Sequence, residues 1–365
     1  MYILAKRIAP VICLCLVQVG IRAEGNRQAS ELTSTTTCVL GDGSGFSIEE
    51  TEHGVNVKVD GKPFASYVVD DINKPYLWPI YGPTGKPMTR AFPMQLQPNE
   101  SAAQRDHPHH RGITFGHDRI VSRGSILDDT WHERMTFLDT RSGVGVRVTD
   151  AKRMANLAAI KHREFTELFA DSDRAVVSQI CDHVDSAGNR FLIEERRITF
   201  RSQVESRSID VDQVFAACED AVCFEDRKDA GLSIRVPASM AIDSEQGGHV
   251  VNSEGDMDDE AWGRSARWCD YHGPVDGQHL GIAFLSHPSS FRFPTRWHVR
   301  SYGLFAANPF AMRAFDDTLS DGATILEPGE TLTLRHRIIF HVGDAKSAGI
   351  EKAWQEYRFT KTSIQ

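Results

Sequence analysis

Residues 175–200 read AVVSQICDHVDSAGNRFLIEERRITF. Two runs rich in β-branched and apolar residues, 175–185 and 190–200, flank an Ala187-Gly188-Asn189 turn. Such a pair reads as two antiparallel strands joined by a tight connection. The same pattern recurs in both directions along the chain. VNVKVDG alternates over 55–59 and stops at Asp60-Gly61, and GVGVRVTD alternates over 144–148. RSIDVDQVFAA, GLSIRVP, LGIAFLSH and TLTLRHRIIFHVG follow, with turn pairs at Asp276-Gly277 and Pro328-Gly329. Many short strands separated by turn chemistry predict an all-β protein, a large antiparallel β-sandwich. No regular strand-then-helix alternation supports a parallel α/β fold. Helix is expected at the C-terminus, where AGIEKAWQEYRF places Ile350, Trp354 and Tyr357 on one face. Residues 151–160 fit either a helix or an edge segment.

The chain has 365 residues, 41% hydrophobic and 25% charged, which is ordinary globular composition and ample for a core. Its start has basic Lys6 and Arg7, an apolar run over 8–21, and a small residue at Ala23. This predicts a signal peptide over 1–23 and a periplasmic or secreted protein, an uncleaved N-terminal membrane anchor being the alternative. Residues 24–40 form a Ser/Thr-rich leader, and 41–365 a single β-sandwich domain. Loss of 1–23 removes Lys6, Arg7 and Arg22 and no acid, so the formal charge falls from −9 to −12. An acidic chain is a poor nucleic-acid binder. No later stretch is long and apolar enough for an integral membrane domain. Five cysteines remain: Cys38, Cys181, Cys218, Cys223 and Cys269. An odd number leaves at least one unpaired in a monomer; Cys218 and Cys223 could bridge, but burial suits most of the five.

Chemistry concentrates in two places. RDHPHHRGITFGHD, 105–118, holds His107, His109, His110 and His117. Side chains should alternate from Arg111, so Arg111, Ile113, Phe115 and His117 share a face, and His109 in register lies on the same side. His109, His110 and His117 with a carboxylate could ligate a divalent metal. The spacing fits no zinc signature, which favours proton transfer or substrate hydrogen bonding; a hydrogen-bonded strand entrance without any ligand also fits. The second concentration, 268–309, supplies His272, His287, Trp297, His298, Tyr302 and Asn308. Rings beside Asp, Asn, Arg and His suit a sugar, whose C–H faces stack while its hydroxyls pair with polar groups. Arg235, in the apolar strand GLSIRVP, wants an anionic partner or ligand. Glu194, Glu195, Arg196 and Arg197 lie in a strand whose alternation could turn one Glu–Arg face into the site and the other to solvent, though an ordinary exposed ion-pair strand is the favoured reading.

KPYLWPIYGPTGKPMTRAFP, DHPHHRGITFGH, GLSIRVP, ARWCDYHGPVDG, GIAFLSHPSSFRFPTRWHVRSYGLFAANPF and LRHRIIFHVGD together resemble the bacterial PmoA-like family over about 55–358. That family is a domain of unknown function often labelled "methane oxygenase". The resemblance implies a supersandwich similar to galactose-mutarotase-type folds and company with sugar-catabolic proteins. It carries over no catalytic residues. The expected function is His-based general acid–base chemistry on a carbohydrate: hydrolysis, elimination or epimerisation. His109, His110, His117 and His298 are the candidate catalytic groups. Arg235, His272, His287, Trp297, Tyr302 and Asn308 are the candidate substrate contacts. The alternatives are a non-catalytic carbohydrate-binding or surface-assembly module, and a metal-dependent oxygenase as the family label implies.

Overall fold

The computed structural model describes residues 44–98, 100–124, 126–139 and 147–361. The expected signal segment, the leader and Cys38 lie outside the described residues. Of the strand expected at 144–148, only Arg147–Val148 is described. Two eight-stranded antiparallel sheets dominate. The first runs, in spatial order, Phe46–Thr51, Gly54–Val59, Lys62–Val68, Tyr76–Ile80, Ile113–His117, Ala230–Arg235, Leu304–Asn308 and Arg296–Val299. The second runs Ala159–Ala170, Ala175–Val184, Arg190–Ser202, Ser206–Ala217, Thr331–Val342, Gln278–Ser286, Trp268–Val275 and His249–Asn252. The two runs quoted first pair in the second sheet, Val177 facing Ile198 and Cys181 facing Glu194. A smaller sheet joins Thr324–Leu326, Val222–Phe224, Ile120–Ser122 and Ile126–Asp128.

Period-two patterning dictates what lies between the sheets. Val55 and Val57, Ile113 and Phe115, and Leu232 and Ile234 point inward from the first sheet. Ile198 and Phe200, Val211 and Phe215, and Ile338 and Phe340 meet them from the second. Each buried Phe contributes about 1.5–3 kcal/mol. Cys181 and Cys269 are buried free thiols, and Cys218 and Cys223 are free and partly exposed, not bridged. The C-terminal helix, Ile350–Tyr357, buries the face formed by Ile350, Trp354 and Tyr357. It packs on Trp268, Ala283, Leu285 and Ile339, which point away from the sandwich interior, and so covers three strands of the second sheet on their outer face. At 151–160 both readings are realised: Ala151–Ala155 is a short helix capped by Asp150, and the strand Ala159–Ala170 follows.

The reading of 194–197 as a mainly exposed ion-pair strand needs correction. Glu195 faces solvent and Arg197 is only partly covered, but Glu194 and Arg196 turn into the sandwich. Arg196 Nε and Nη2 donate to the two Glu194 oxygens at 2.6 and 3.0 Å. Gln213 Nε2 donates to Glu194 Oε1 at 2.8 Å, and His183 Nε2 lies 2.9 Å from Oε2. Arg196 Nη1 reaches the Tyr67 hydroxyl on the first sheet at 3.0 Å. The network is a polar rivet through an apolar core, satisfied on every side of the carboxylate. Register decides this: Glu194 shares a strand face with Ile198 and Phe200.

Burial opposes ionisation of Glu194, but Arg196 and His183 overcome it and hold its carboxyl down at about 2, against an ordinary 4.5. The depressed value stabilises the fold fully above about pH 4.5, and that contribution drains away as pH falls towards 2. Glu194→Gln should therefore flatten the acid limb of stability between those values. It should also destabilise the protein at neutral pH by about 3–5 kcal/mol, because Arg196 is left buried without its counter-charge. Urea unfolding of both proteins across this pH range measures the two effects; parallel pH profiles for wild type and variant would contradict them.

Candidate functional site

The outer face of the first sheet is where polar side chains gather. On its strands Thr114, Ser233, Arg235, Ala306 and His298 occupy positions that alternate with core residues. The segment following Asp129 lies directly across this face, and Gly116 allows it. A Cβ at Gly116 would sit 2.7 Å from the Thr130 carbonyl oxygen and 2.9 Å from Trp131 Cα. Only glycine lets that backbone approach so closely. Trp131 then packs on Leu304 and Ala306, with Tyr302 at the edge. Asp129 Oδ1 accepts from the backbone N–H groups of Trp131 and His132 at 3.0 and 2.9 Å, which fixes the bend.

Four residues of the histidine-rich segment, Asp106, His107, His109 and His110, converge here. Asp106 Oδ1 accepts from Arg90 Nη1 at 2.8 Å and Arg235 Nη2 at 2.7 Å, and its Oδ2 pairs with His107 Nδ1 at 2.6 Å. Burial opposes ionisation of Asp106, yet His107, Arg235 and Arg90 hold its carboxyl below the usual range. Arg235 has the anionic partner its apolar strand demanded. Its Nη1 donates to His110 Nδ1 at 3.2 Å. A guanidinium can only donate, so Nδ1 of His110 is a lone pair and its ring proton sits on Nε2. His109 lies edge-on to His110 with centroids 4.4 Å apart, and its Nδ1 meets Thr136 Oγ1 at 3.0 Å. Among the described residues no hydrogen-bond partner meets Nε2 of either ring.

Electrostatics keep both rings neutral. Burial, then His132 and Lys74, lower His109 well below the ordinary histidine value; burial, then His109 and Arg235, do the same to His110. Lys74 is itself buried, with Nζ donating to the Trp131 carbonyl at 2.6 Å, and burial brings it down to about 8. Over this pair lies an open aromatic stack. His107 is parallel to His110 at 5.0 Å and to Tyr302 at 5.3 Å, and His110 and Tyr302 are themselves parallel at 6.5 Å. Arg235 and Arg300 lie over the Tyr302 ring at 4.7 and 5.8 Å. Farther along the face, His298 Nδ1 donates to the Lys228 carbonyl at 2.6 Å, and burial lowers the ring to about 4. Burial opposes ionisation of Asp229 beside it, but Lys228, then His298 and His132, hold the carboxylate in its charged form.

The structure thus brings His109, His110, Arg235 and Tyr302 together, with His298 on the same face. The other expected site residues fall elsewhere. His117 was expected beside His109, but the alternation does not run through Gly112, whose φ is +44°. Past that break His117 points inward, against Phe224 and Phe310, with Nε2 on the Glu225 carbonyl at 3.0 Å. Trp297 is not a stacking wall; it is wholly buried against Phe284 and Phe305. Asn308 spends its amide on the Arg227 and Lys228 carbonyls and its oxygen on the Phe310 and Ala311 N–H groups. It positions the loop that holds His298. His272 and His287 belong to the outer face of the second sheet: His272 pairs with Asp270 at 2.6 Å, and His287 packs on Tyr357 and Arg335. A whole sandwich separates them from His109. The set His109, His110 and His117 therefore does not converge. Among the described residues no three His, Cys, Asp or Glu side chains are grouped to hold a metal.

Sequence reasoning missed Asp129, Trp131, His132, Glu133 and Thr136. His132 Nδ1 meets Asp129 Oδ2 at 2.9 Å, and its ring lies 4.6 Å from His109. The stretch DDTWHERMTF has no strand period, and its density of acid, imidazole and indole in an aperiodic segment was the available signal.

No curated protein matches the sequence. Among solved structures, the chain is similar to the GH36 α-galactosidase AgaA of Geobacillus stearothermophilus, at 10% identity and a TM-score of 0.40. That match covers 83% of this chain but 41% of the α-galactosidase, so the chain spans less than half of that relative. It is also similar to galactose 1-epimerase from Lactobacillus acidophilus NCFM, at 9% identity and a TM-score of 0.33, over 82% of this chain and 98% of that one. A galactose mutarotase-like protein from Clostridium acetobutylicum matches at 9% identity and 0.35, over 81% and 98%. Residues 54–355 match the family described as one of unknown function, DUF6807, and a match over most of its length makes the chain a member of that family.

Proposed function

We propose that the outer face of the first sheet binds a carbohydrate and moves a proton on it. The observation that carries this reading is a pair of buried, neutral imidazoles with open Nε2 atoms beneath an exposed His107 ring stacked on the half-buried Tyr302. The stack offers a flat apolar surface to the C–H face of a sugar. His110 Nε2–H is a fixed hydrogen-bond donor for a hydroxyl or a developing oxyanion. In this reading His109 carries its proton on Nδ1, hydrogen-bonded to Thr136 Oγ1, so that Nε2 is a lone pair and serves as the proton acceptor. Acceptor and donor side by side suit epimerisation or elimination. Hydrolysis by a pair of carboxylates is less well served: Asp106 is already shared among Arg90, Arg235 and His107, leaving it no free role as acid or nucleophile. An oxygenase would need several His or carboxylate ligands around one point, and the described residues assemble no such group. Export to the periplasm or beyond, expected from residues 1–23, accords with a role on external glycans and forms part of the proposal.

A thermal-shift screen of mono- and oligosaccharides identifies ligands, since anything that binds the folded state raises its melting temperature. With a ligand in hand, His109→Ala should lower turnover by about a hundred-fold or more while leaving affinity within a few-fold. A variant that loses affinity but never had turnover to lose would make the protein a carbohydrate-binding module instead. The pH profile is a separate check. Both imidazoles titrate well below the ordinary 6.5. A base that is already unprotonated stays so as pH drops through 6.5, so kcat/KM should hold level from about pH 8 to below 6.5 and fall only at lower pH. An acid limb centred on 6.5 would count against His109 as the base.

A further inference from the structure

On the same outer face, nearer the chain's first strands, lies a second cavity of about 570 Å³ that the proposed chemistry does not use. We infer that it is a subsite for a neighbouring sugar unit, so that the ligand is a neutral oligosaccharide and not a monosaccharide. The inference rests on the carbohydrate reading above and deepens it. The cavity lies over Asn56, Ser66, Tyr76 and Trp78, outward positions on three adjacent strands, with Arg111 and Asp71 at its side. Arg111 follows His110 directly, and it binds Glu133, the residue after His132. One ion pair therefore forms the partition between cavity and imidazole pair, and the two compartments are neighbours.

Three groups in the cavity are left over. The half-buried Trp78 ring makes no ring contact, and its indole N–H no hydrogen bond, among the described residues. Ser66 Oγ donates to Asn56 Oδ1 at 2.6 Å, which leaves the Asn56 amide group free to donate. Asp71 Oδ2 is taken by the Tyr76 hydroxyl at 2.7 Å and by Arg111 Nη1 at 3.2 Å, while Oδ1 is free to accept. A flat ring flanked by one donor and one acceptor matches a pyranose, which offers a C–H face and vicinal hydroxyls. Charge selects the neutral class. Arg111 is countered twice over, by two bonds to Glu133 at 2.8 and 3.0 Å and by Asp71. Among the described lining residues His53 is also taken, by Asp70 at 3.0 Å, so no cation is spare for a uronate, and the half-exposed Asp71 would repel one.

Calorimetric titration of the full chain tests this with gluco- and galacto-oligosaccharides of one to four units and with oligogalacturonates of the same lengths. For wild type, affinity should rise about ten-fold or more from one unit to two or three for a neutral series, and no uronate should bind better than its neutral counterpart. Trp78→Ala should abolish that rise while leaving monosaccharide affinity unchanged. Asn56→Ala, a less disruptive change at a surface position, should reduce it several-fold. Affinity independent of length, or a rise that survives both substitutions, would overturn the subsite and leave the imidazole site standing. Preference for the uronates would overturn the neutral class. Absence of binding by every sugar would overturn the subsite together with the carbohydrate reading itself.

Discussion

Arg111 meets Glu133 through two parallel hydrogen bonds in a setting nearly closed to water. Bidentate contacts of this kind fix orientation as well as distance. They join two stretches of chain that have no ladder of their own: the loop carrying His107, His109 and His110, and the aperiodic segment carrying Trp131 and His132. The clamp acts together with Arg90, which donates to the Asp106, His107 and His110 carbonyls, to place imidazoles that precede the first hydrogen-bonded residue of their strand. Gly116 does the same work from below by admitting the backbone of residues 130–131 against the sheet. A rigid scaffold with loops pinned to one face is the arrangement in which catalytic and binding groups are commonly held.

The two sheets treat their outer faces differently. The second covers part of its own with the C-terminal helix, an apolar lid over Trp268, Leu285 and Ile339. The first leaves its face to charged and aromatic groups. Between them the Glu194–Arg196–Tyr67 network crosses the interior, and its cost in desolvation is offset by a full set of partners. Such a network specifies how the sheets align more than it adds to their cohesion, since only one registration brings Arg196 to both Glu194 and Tyr67.

The architecture was legible in the sequence because strand alternation and turn residues are local signals. The pairing of 175–184 with 190–202 and the buried stripe of the terminal helix follow directly from them. The site was legible only in part. His109, His110, Arg235 and Tyr302 stood out by residue type, but alternation was carried through Gly112, where the backbone turns, and that placed His117 on the wrong face. Trp297 and His298 are adjacent, and nothing in PTRWHVR says which of the two faces the core. His272 and His287 were joined to the site by nearness in sequence, whereas sheet order puts a sandwich between them. The segment 129–137 was silent because its role depends on contacts with residues that lie from Gly116 to Ala306 in the sequence, which no short window contains.

The same strands that wall the site also build the core, one residue out of step. Arg235 follows Ile234, and His298 follows Trp297. Tolerance to substitution should therefore alternate along a single strand, with positions that abolish folding interleaved with positions that change only what the protein does. For anyone remodelling the protein's specificity, the outward residues of these strands are the places to start, save where, as at Gly116, a neighbouring backbone leaves no room for a side chain.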